Sequence, residues 1–218
     1  MDLNQLLLTL LMAGIPLIFA ITLHEAAHAY IAKFRGDMTA YNLGRVTLNP
    51  VPHIDLIGTI IVPGLLLLSS MTVGFPFIFG WAKPVPISYN NLKKPKFDMA
   101  LVALAGPLAN FIMAVAWALL YKHITLHPYI QQMALYGMII NVVLMVLNLL
   151  PIPPLDGSRI VSAILPPAAA YKYNGIERYG FFILLALIII PFQGGNLLFF
   201  ILNPFISFTL QIIQAITF

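Results

Sequence analysis

The sequence predicts an all-α integral membrane helical bundle of about five transmembrane helices, with a re-entrant or broken segment and a small membrane-surface β-hairpin. Three observations carry that expectation. Only 8% of the 218 residues are charged and 61% are hydrophobic, whereas soluble domains are about 25% charged. The chain contains long windows without a charge, and about 20 apolar residues cross the hydrocarbon core of a bilayer. Pro and Gly punctuation falls between those windows. A soluble globular domain, a disordered tail and a nucleic-acid binder are thereby excluded. Eleven Lys and Arg against seven acids, a net charge of +4, reflect scarce acids rather than a nucleic-acid-binding face. The absence of cysteine rules out disulfides and thiolate metal sites.

Taken in order, Leu3 to Leu23 is the first charge-free window and leads directly into His24-Glu25. It lacks a basic n-region and runs past residue 20, so it reads as a span rather than a cleaved leader. Residues 34–55 carry Gly36, Gly44, Asn49-Pro50 and the alternating run Arg45-Val46-Thr47-Leu48, which predict the hairpin. Leu56 to Ala82 is charge-free but interrupted by Pro63-Gly64 and Gly74-Phe75-Pro76. Ala100 to Tyr121 and Ile130 to Leu150 are clean spans, the second ending at Pro151-Ile152-Pro153-Pro154. The tail after Arg178 has no charge and is divided by Pro191 and Gly194-Gly195 into two helices, the first short. One polytopic domain over 1–218 is expected, with a catalytic core at about 3–157 and C-terminal helices at about 179–218.

The first span holds His24-Glu25-Ala26-Ala27-His28, an H-E-x-x-H pattern. Spacing i, i+4 puts two imidazoles on one helix face, where they can share a tetrahedral zinc. Glu25 is then placed to take a proton from water beside the metal. On a soluble helix this pattern is often just a solvated face. Inside a span, an ionisable residue costs roughly 2.5–3.5 kcal/mol on insertion scales and marks an interior site. Two histidines leave such a zinc short of a protein ligand. Asp156, directly after the Pro-broken end of a span, stands out among the acids. Its alternative reading is a helix-terminal turn, since Asp-Gly is a common turn pair.

Together, H-E-x-x-H at 24–28, G-x-x-x-N at Gly106–Asn110 and N-x-x-P-x-x-x-L-D-G at Asn148–Gly157 resemble the motif set of the site-2 protease family of intramembrane zinc metalloproteases. Gly44-Arg45-Val46-Thr47-Leu48-Asn49-Pro50 followed by His53-Ile54-Asp55 resembles its compact subgroup without a PDZ domain. The resemblance implies one zinc ion per chain, held by His24, His28 and Asp156, with Glu25 as general base. It also implies that Asn110 and Asn148 sit near the substrate as oxyanion or strand-holding donors; their plain alternative is interhelical hydrogen bonding. His53 is open between a structural and a catalytic role. The partners implied are transmembrane protein substrates and the lipid bilayer, with no nucleic acid. A metal-ion or proton transporter using the same cluster, or an inactive scaffold homologue, are the alternatives.

The motifs also set topology. His28 and Asp156 meet only if the first span and the Ile130–Leu150 span run parallel, with Ala100–Tyr121 antiparallel between them. Loops 34–55 and 81–98 then share one side, provided that 56–82 re-enters rather than crosses. That side collects Lys33, Arg35, Arg45, Lys83, Lys93, Lys94, Lys96, Arg159, Lys172 and Arg178, leaving Lys122 alone opposite. By the positive-inside rule the catalytic ends face the cytoplasm of a plasma or inner membrane.

Overall fold

The computed structural model describes residues 3–61, 82–124 and 127–217. Eight α-helices are found among them: α1 (Leu3–Phe34), α2 (Thr39–Asn42), α3 (Pro95–His123), α4 (Pro128–Asn148), α5 (Asp156–Ile164), α6 (Pro167–Asn174), α7 (Glu177–Ile189) and α8 (Leu197–Thr217). Helices α3, α4 and α6 each carry Pro in their first turn, where a missing N–H costs nothing and a fixed φ favours the helix. At the start of α3, Asp98 also accepts the Lys94 backbone N–H at 2.6 Å.

Four of these helices are long and apolar enough to cross a membrane: the Leu8–Phe34 part of α1, α3, α4 and α8. The chain is therefore a multi-pass membrane protein, as the composition required. Helix α7 has 13 residues, about 20 Å at 1.5 Å per residue, which is shorter than the hydrocarbon core. The proposed turn of the 56–82 segment falls on residues 62–81, outside the described residues; Leu56–Ile61 forms a π-helical turn.

The predicted hairpin at 34–55 is corrected by the structure. That stretch holds α2 and a 3-10 turn at Val51–His53 instead of strands. Its backbone donors are satisfied locally: Arg45 N–H by Ala40 O, Asn49 N–H by Thr47 Oγ1 and Val51 N–H by Asn49 Oδ1. Such short-range bonds compete with a sheet ladder, and Pro50 and Pro52 have no N–H to give it. The two-stranded hairpin lies between α7 and α8, where Pro191 pairs with Asn196 and Phe192 with Gly195. Gln193 and Gly194 between them both have positive φ, +46° and +81°, which suits a two-residue turn matched to strand twist.

Helices α1, α3 and α4 pack against one another, each touching the other two. Contacts run in opposite order along α1 and α3: Ala20 meets Asn110, His28 meets Val102, and Arg35 meets Asp98. The two helices are thus antiparallel. Small residues are buried along both helices, Ala20, Ala26, Ala29 and Ala32 on α1 and Ala103, Gly106, Ala114 and Ala118 on α3, and Ala32 packs with Val102 of α3. Between apolar helices in lipid, association comes from such close backbone packing rather than from hydrophobic exclusion. A second cluster joins Ala114, Ala118, Val142, Val146, Leu202, Ile206 and Ile213 across α3, α4 and α8.

Polar clamps hold the ends. Arg35 donates Nε and Nη2 to Asp98 Oδ1 at 2.6 and 2.5 Å, fixing the exit of α1 to the start of α3. Asp37, fully buried, accepts the backbone N–H and hydroxyl of Thr39, the Ser88 N–H and the Asn91 amide. It staples the turn after α1 to residues 88–91.

Candidate metal centre

His24 and His28 lie one turn apart on α1 and are both buried. Asp156 is the first residue of α5, immediately beyond the bend made by Pro151, Pro153 and Pro154. A close approach brings it in. A Cβ on Gly157 would collide with the Leu149 carbonyl and lie 2.6 Å from Leu150 O. Only a residue without a side chain lets the start of α5 fold back onto the end of α4. The Asp-Gly pair thus works as a close-packing joint more than as a turn.

The three side chains converge. His24 Nε2 and His28 Nε2 are 3.0 Å apart, and Asp156 Oδ2 is 3.1 Å from the first and 3.2 Å from the second. The outer nitrogens settle which lone pairs face inward. His28 Nδ1–H donates to Val102 O at 2.6 Å, and His24 Nδ1–H donates to Asn110 Oδ1 at 2.5 Å. A carbonyl only accepts, so each Nδ1 carries a proton, and in the neutral form of each ring that leaves an Nε2 lone pair turned toward Asp156. Asp156 Oδ2 is itself buried without a hydrogen-bond partner.

Three acceptors facing one another fit a cation. A tetrahedral ion about 2.0–2.1 Å from each ligand atom separates those atoms by about 3.3 Å, close to the observed 3.0–3.2 Å. Among the described residues, these three form the group of His and acidic side chains able to hold a metal. Helix α3 makes room through Gly106, where a Cβ would lie 2.6 Å from His24 Nε2 and closer still to His28 Nε2.

The remaining predicted residues are distributed differently. Glu25 is half-buried next to the cluster, with Oε2 accepting the Val85 N–H at 2.7 Å. Asn110 is fully buried and its amide is committed: Oδ1 to His24, Nδ2 to Ala20 O and to Asn141 Oδ1 at 2.9 Å. It orients a histidine. Asn148 donates back to Leu144 O on its own helix at 3.0 Å. His53 is buried in the 3-10 turn, with Nε2 at 3.1 Å from Thr47 O and its carbonyl accepting the Lys83 N–H. No hydrogen bond or ion pair among the described residues joins His53 or Asn148 to the three ligand candidates.

Two contributors were missed by the sequence reading. Asn141, fully buried, orders Asn110 and donates to Gly137 O at 2.8 Å. An amide inside a span, two helical turns before Asn148 on the same face, was the available signal. The Val85 N–H that pins Glu25 had none, because a backbone donor leaves no trace in residue type.

Comparison with known proteins agrees with this geometry. Residues 121–191 match the family model described as peptidase family M50. The chain is 37% identical over 213 residues to "Putative zinc metalloprotease YwhC" of Bacillus subtilis, covering 93% of this chain and 90% of that protein. It is 29% identical to "Putative zinc metalloprotease Rip2" of Mycolicibacterium smegmatis, over 80% of this chain and 65% of that protein. Its identity to the protein of the same name from Mycobacterium tuberculosis is 28%, over 81% and 66%. No solved structure matches. Buried histidines on a transmembrane helix, an aspartate folded back onto them and a relative matched over 93% of the chain lead to one assignment: the chain belongs to peptidase family M50.

Proposed function

We propose that this protein is a zinc-dependent endopeptidase that hydrolyses peptide bonds in or near the transmembrane segments of membrane-protein substrates. The carrying observation is the convergence of His24 Nε2, His28 Nε2 and Asp156 Oδ2 within 3.0–3.2 Å of one another, with the Glu25 carboxylate beside them on the same helix. His24, His28 and Asp156 would hold one zinc ion. When bound, zinc supplies a Lewis acid that polarises a carbonyl and makes water a stronger acid.

The chain's own residues do the rest. Glu25 accepts a proton from the attacking water as its oxygen bonds to the scissile carbonyl carbon, then passes that proton to the departing amine as the C–N bond breaks. The Val85 N–H holds Oε2, which limits the carboxylate to a narrow set of orientations and leaves Oε1 for water. Asn110 and Val102 O keep the imidazole tautomers that turn Nε2 inward. Substrate must reach the site unwound, since the carbonyls of a helix are tied up in i→i−4 bonds.

The distribution of charge supports a site toward the cytoplasm. On the topology that the motifs require, ten of the eleven basic residues fall on the side of the His28 and Asp156 helix ends. Lys33 marks that interface, and His24 and His28 lie about 13 and 7 Å further along the helix, which puts the centre about 10 Å inside the membrane. Ionisable groups gathered at this depth favour a peptidase over a transporter, whose relay needs them through the full bilayer. Metal analysis of purified protein, paired with cleavage of a panel of single-span substrates, tests the reading. About one zinc per chain and cleavage that is lost in Glu25→Gln are expected. Metal-free protein with unchanged cleavage overturns it.

A further inference from the structure

A cavity of about 400 Å³ opens where the start of α3 meets α5 and α6. It is separate from the metal centre and plays no part in the proposed hydrolysis. Lys96, Arg159, Ser162, Tyr89 and Tyr171 line it, with Glu177 also in the wall. Arg159 is half-buried, and its one polar contact among the described residues is Nη1 to Met99 Sδ at 3.8 Å. A guanidinium offers five N–H donors in a planar fork, and a thioether is a weak acceptor for one of them. Lys96 Nζ donates to Leu165 O at 2.9 Å and meets no carboxylate among the described residues. Glu177 is exposed and forms no ion pair with either cation among the described residues. The cavity therefore brings two cations without an ion-pair partner among the described residues together with the hydroxyls of Tyr89, Ser162 and Tyr171; a fourth hydroxyl, Ser158, is committed to Leu155 O.

That donor set is the one that recognises phosphate: a bidentate fork, a point charge and hydroxyl donors. The volume falls within the range of small-molecule sites, about 300–1,000 Å³. Lys96 is the second residue of the membrane-spanning helix α3, which sets the cavity at the level of lipid headgroups. A basic site at that depth attracts anionic lipid. Glu177 adds one negative charge to the wall, which disfavours a dianion and favours a singly charged phosphodiester.

We infer that this cavity binds a phosphate-bearing anion, the headgroup of an anionic phospholipid. Because Asp156 opens α5 and Arg159 lies one turn later on it, headgroup binding would also brace the helix that carries Asp156. The inference stands independently of proteolysis, since its readout is lipid. Full-length protein in nanodiscs of phosphatidylcholine with phosphatidylglycerol, released for native mass spectrometry, should retain phosphatidylglycerol over phosphatidylcholine by about tenfold. Arg159→Gln should abolish that preference. Ser162→Glu, which supplies an internal carboxylate and keeps Arg159 paired, should abolish it without altering the melting midpoint. Lys172→Gln, basic but outside this cavity, should leave it intact. Equal retention of both lipids by the unaltered protein, or an undiminished preference in both cavity variants, overturns the inference. Displacement of the lipid by millimolar inorganic phosphate supports the anion site and identifies soluble phosphate as a source. Displacement by acidic peptide but not by phosphate overturns it in favour of a protein partner.

Discussion

Adding a single methyl group at Gly106 tests whether the approach of α3 to α1 builds the metal centre. In Gly106→Ala the new Cβ would stand 2.6 Å from both Cε1 and Nε2 of His24. Non-bonded carbon contacts are comfortable at about 3.5–4.0 Å, so the helices must part or the imidazoles rotate by about 1 Å. Metal–ligand distances hold to about ±0.2 Å, several-fold less than that displacement. Overpacking of this kind costs about 1–3 kcal/mol of stability, and zinc affinity should fall at least about tenfold, the equivalent of about 1.4 kcal/mol. Gly14→Ala, on helix α1 that carries the two histidines and with nothing within 4 Å of its added Cβ, is the control. It should keep zinc affinity and gain up to about 1 kcal/mol of helix propensity. Competition for zinc against a chromophoric chelator, on protein purified in neutral detergent, measures both variants. Unaltered affinity in Gly106→Ala would refute the claim that this glycine makes room for the ligands.

Glu25→Gln should retain zinc and lose turnover by about 10²–10⁴-fold, read by metal analysis alongside substrate cleavage; metal loss in this variant would make Glu25 a ligand instead. Asn110→Ala removes the acceptor for His24 Nδ1–H and should weaken zinc about 10–100-fold, measured by the same chelator competition. Asp37 has a pKa held below the usual carboxylate range: burial raises it, but hydrogen bonds from the Thr39 hydroxyl, the Ser88 and Thr39 N–H groups and the Asn91 amide outweigh that. A depressed folded-state pKa contributes stability above the unfolded value of about 3.9 and loses it as pH falls through the folded value. Thermal melts should therefore show the midpoint of the unaltered protein dropping below about pH 4, with a lower and flatter profile in Asp37→Asn. Cysteine probes at Leu43 and Asn90 should label from the same side of the membrane and one at Tyr129 from the other; the chain has no native cysteine to interfere. Labelling of Leu43 and Asn90 from opposite sides would make 56–82 a crossing helix.

Features that depend on composition and on short spacings were legible in the amino-acid order alone. Charge-free windows located α1, α3, α4 and α8, because the cost of a charge in hydrocarbon is paid residue by residue wherever the partners lie. The i, i+4 pair His24 and His28 was legible because a helix fixes their relative direction without help from the rest of the chain. Asp156 was singled out by its Pro-broken setting, and its meeting with the histidines 128 and 132 residues earlier was implied only by the motif resemblance; physically it depends on Gly157 seating against the end of α4 and on Gly106 admitting α1. The hairpin expected at 34–55 failed because alternation does not make a strand when local bonds from Ala40 O, Thr47 and Asn49 satisfy the donors first. The packing of the helices, not any local pattern, brings Asn110 to His24 and Ala20 as an interhelical bond, sets Asn141 behind it, and aims the Val85 backbone N–H at Glu25. These are contacts between segments distant in sequence, set by how closely the helices approach, and no local pattern encodes that distance.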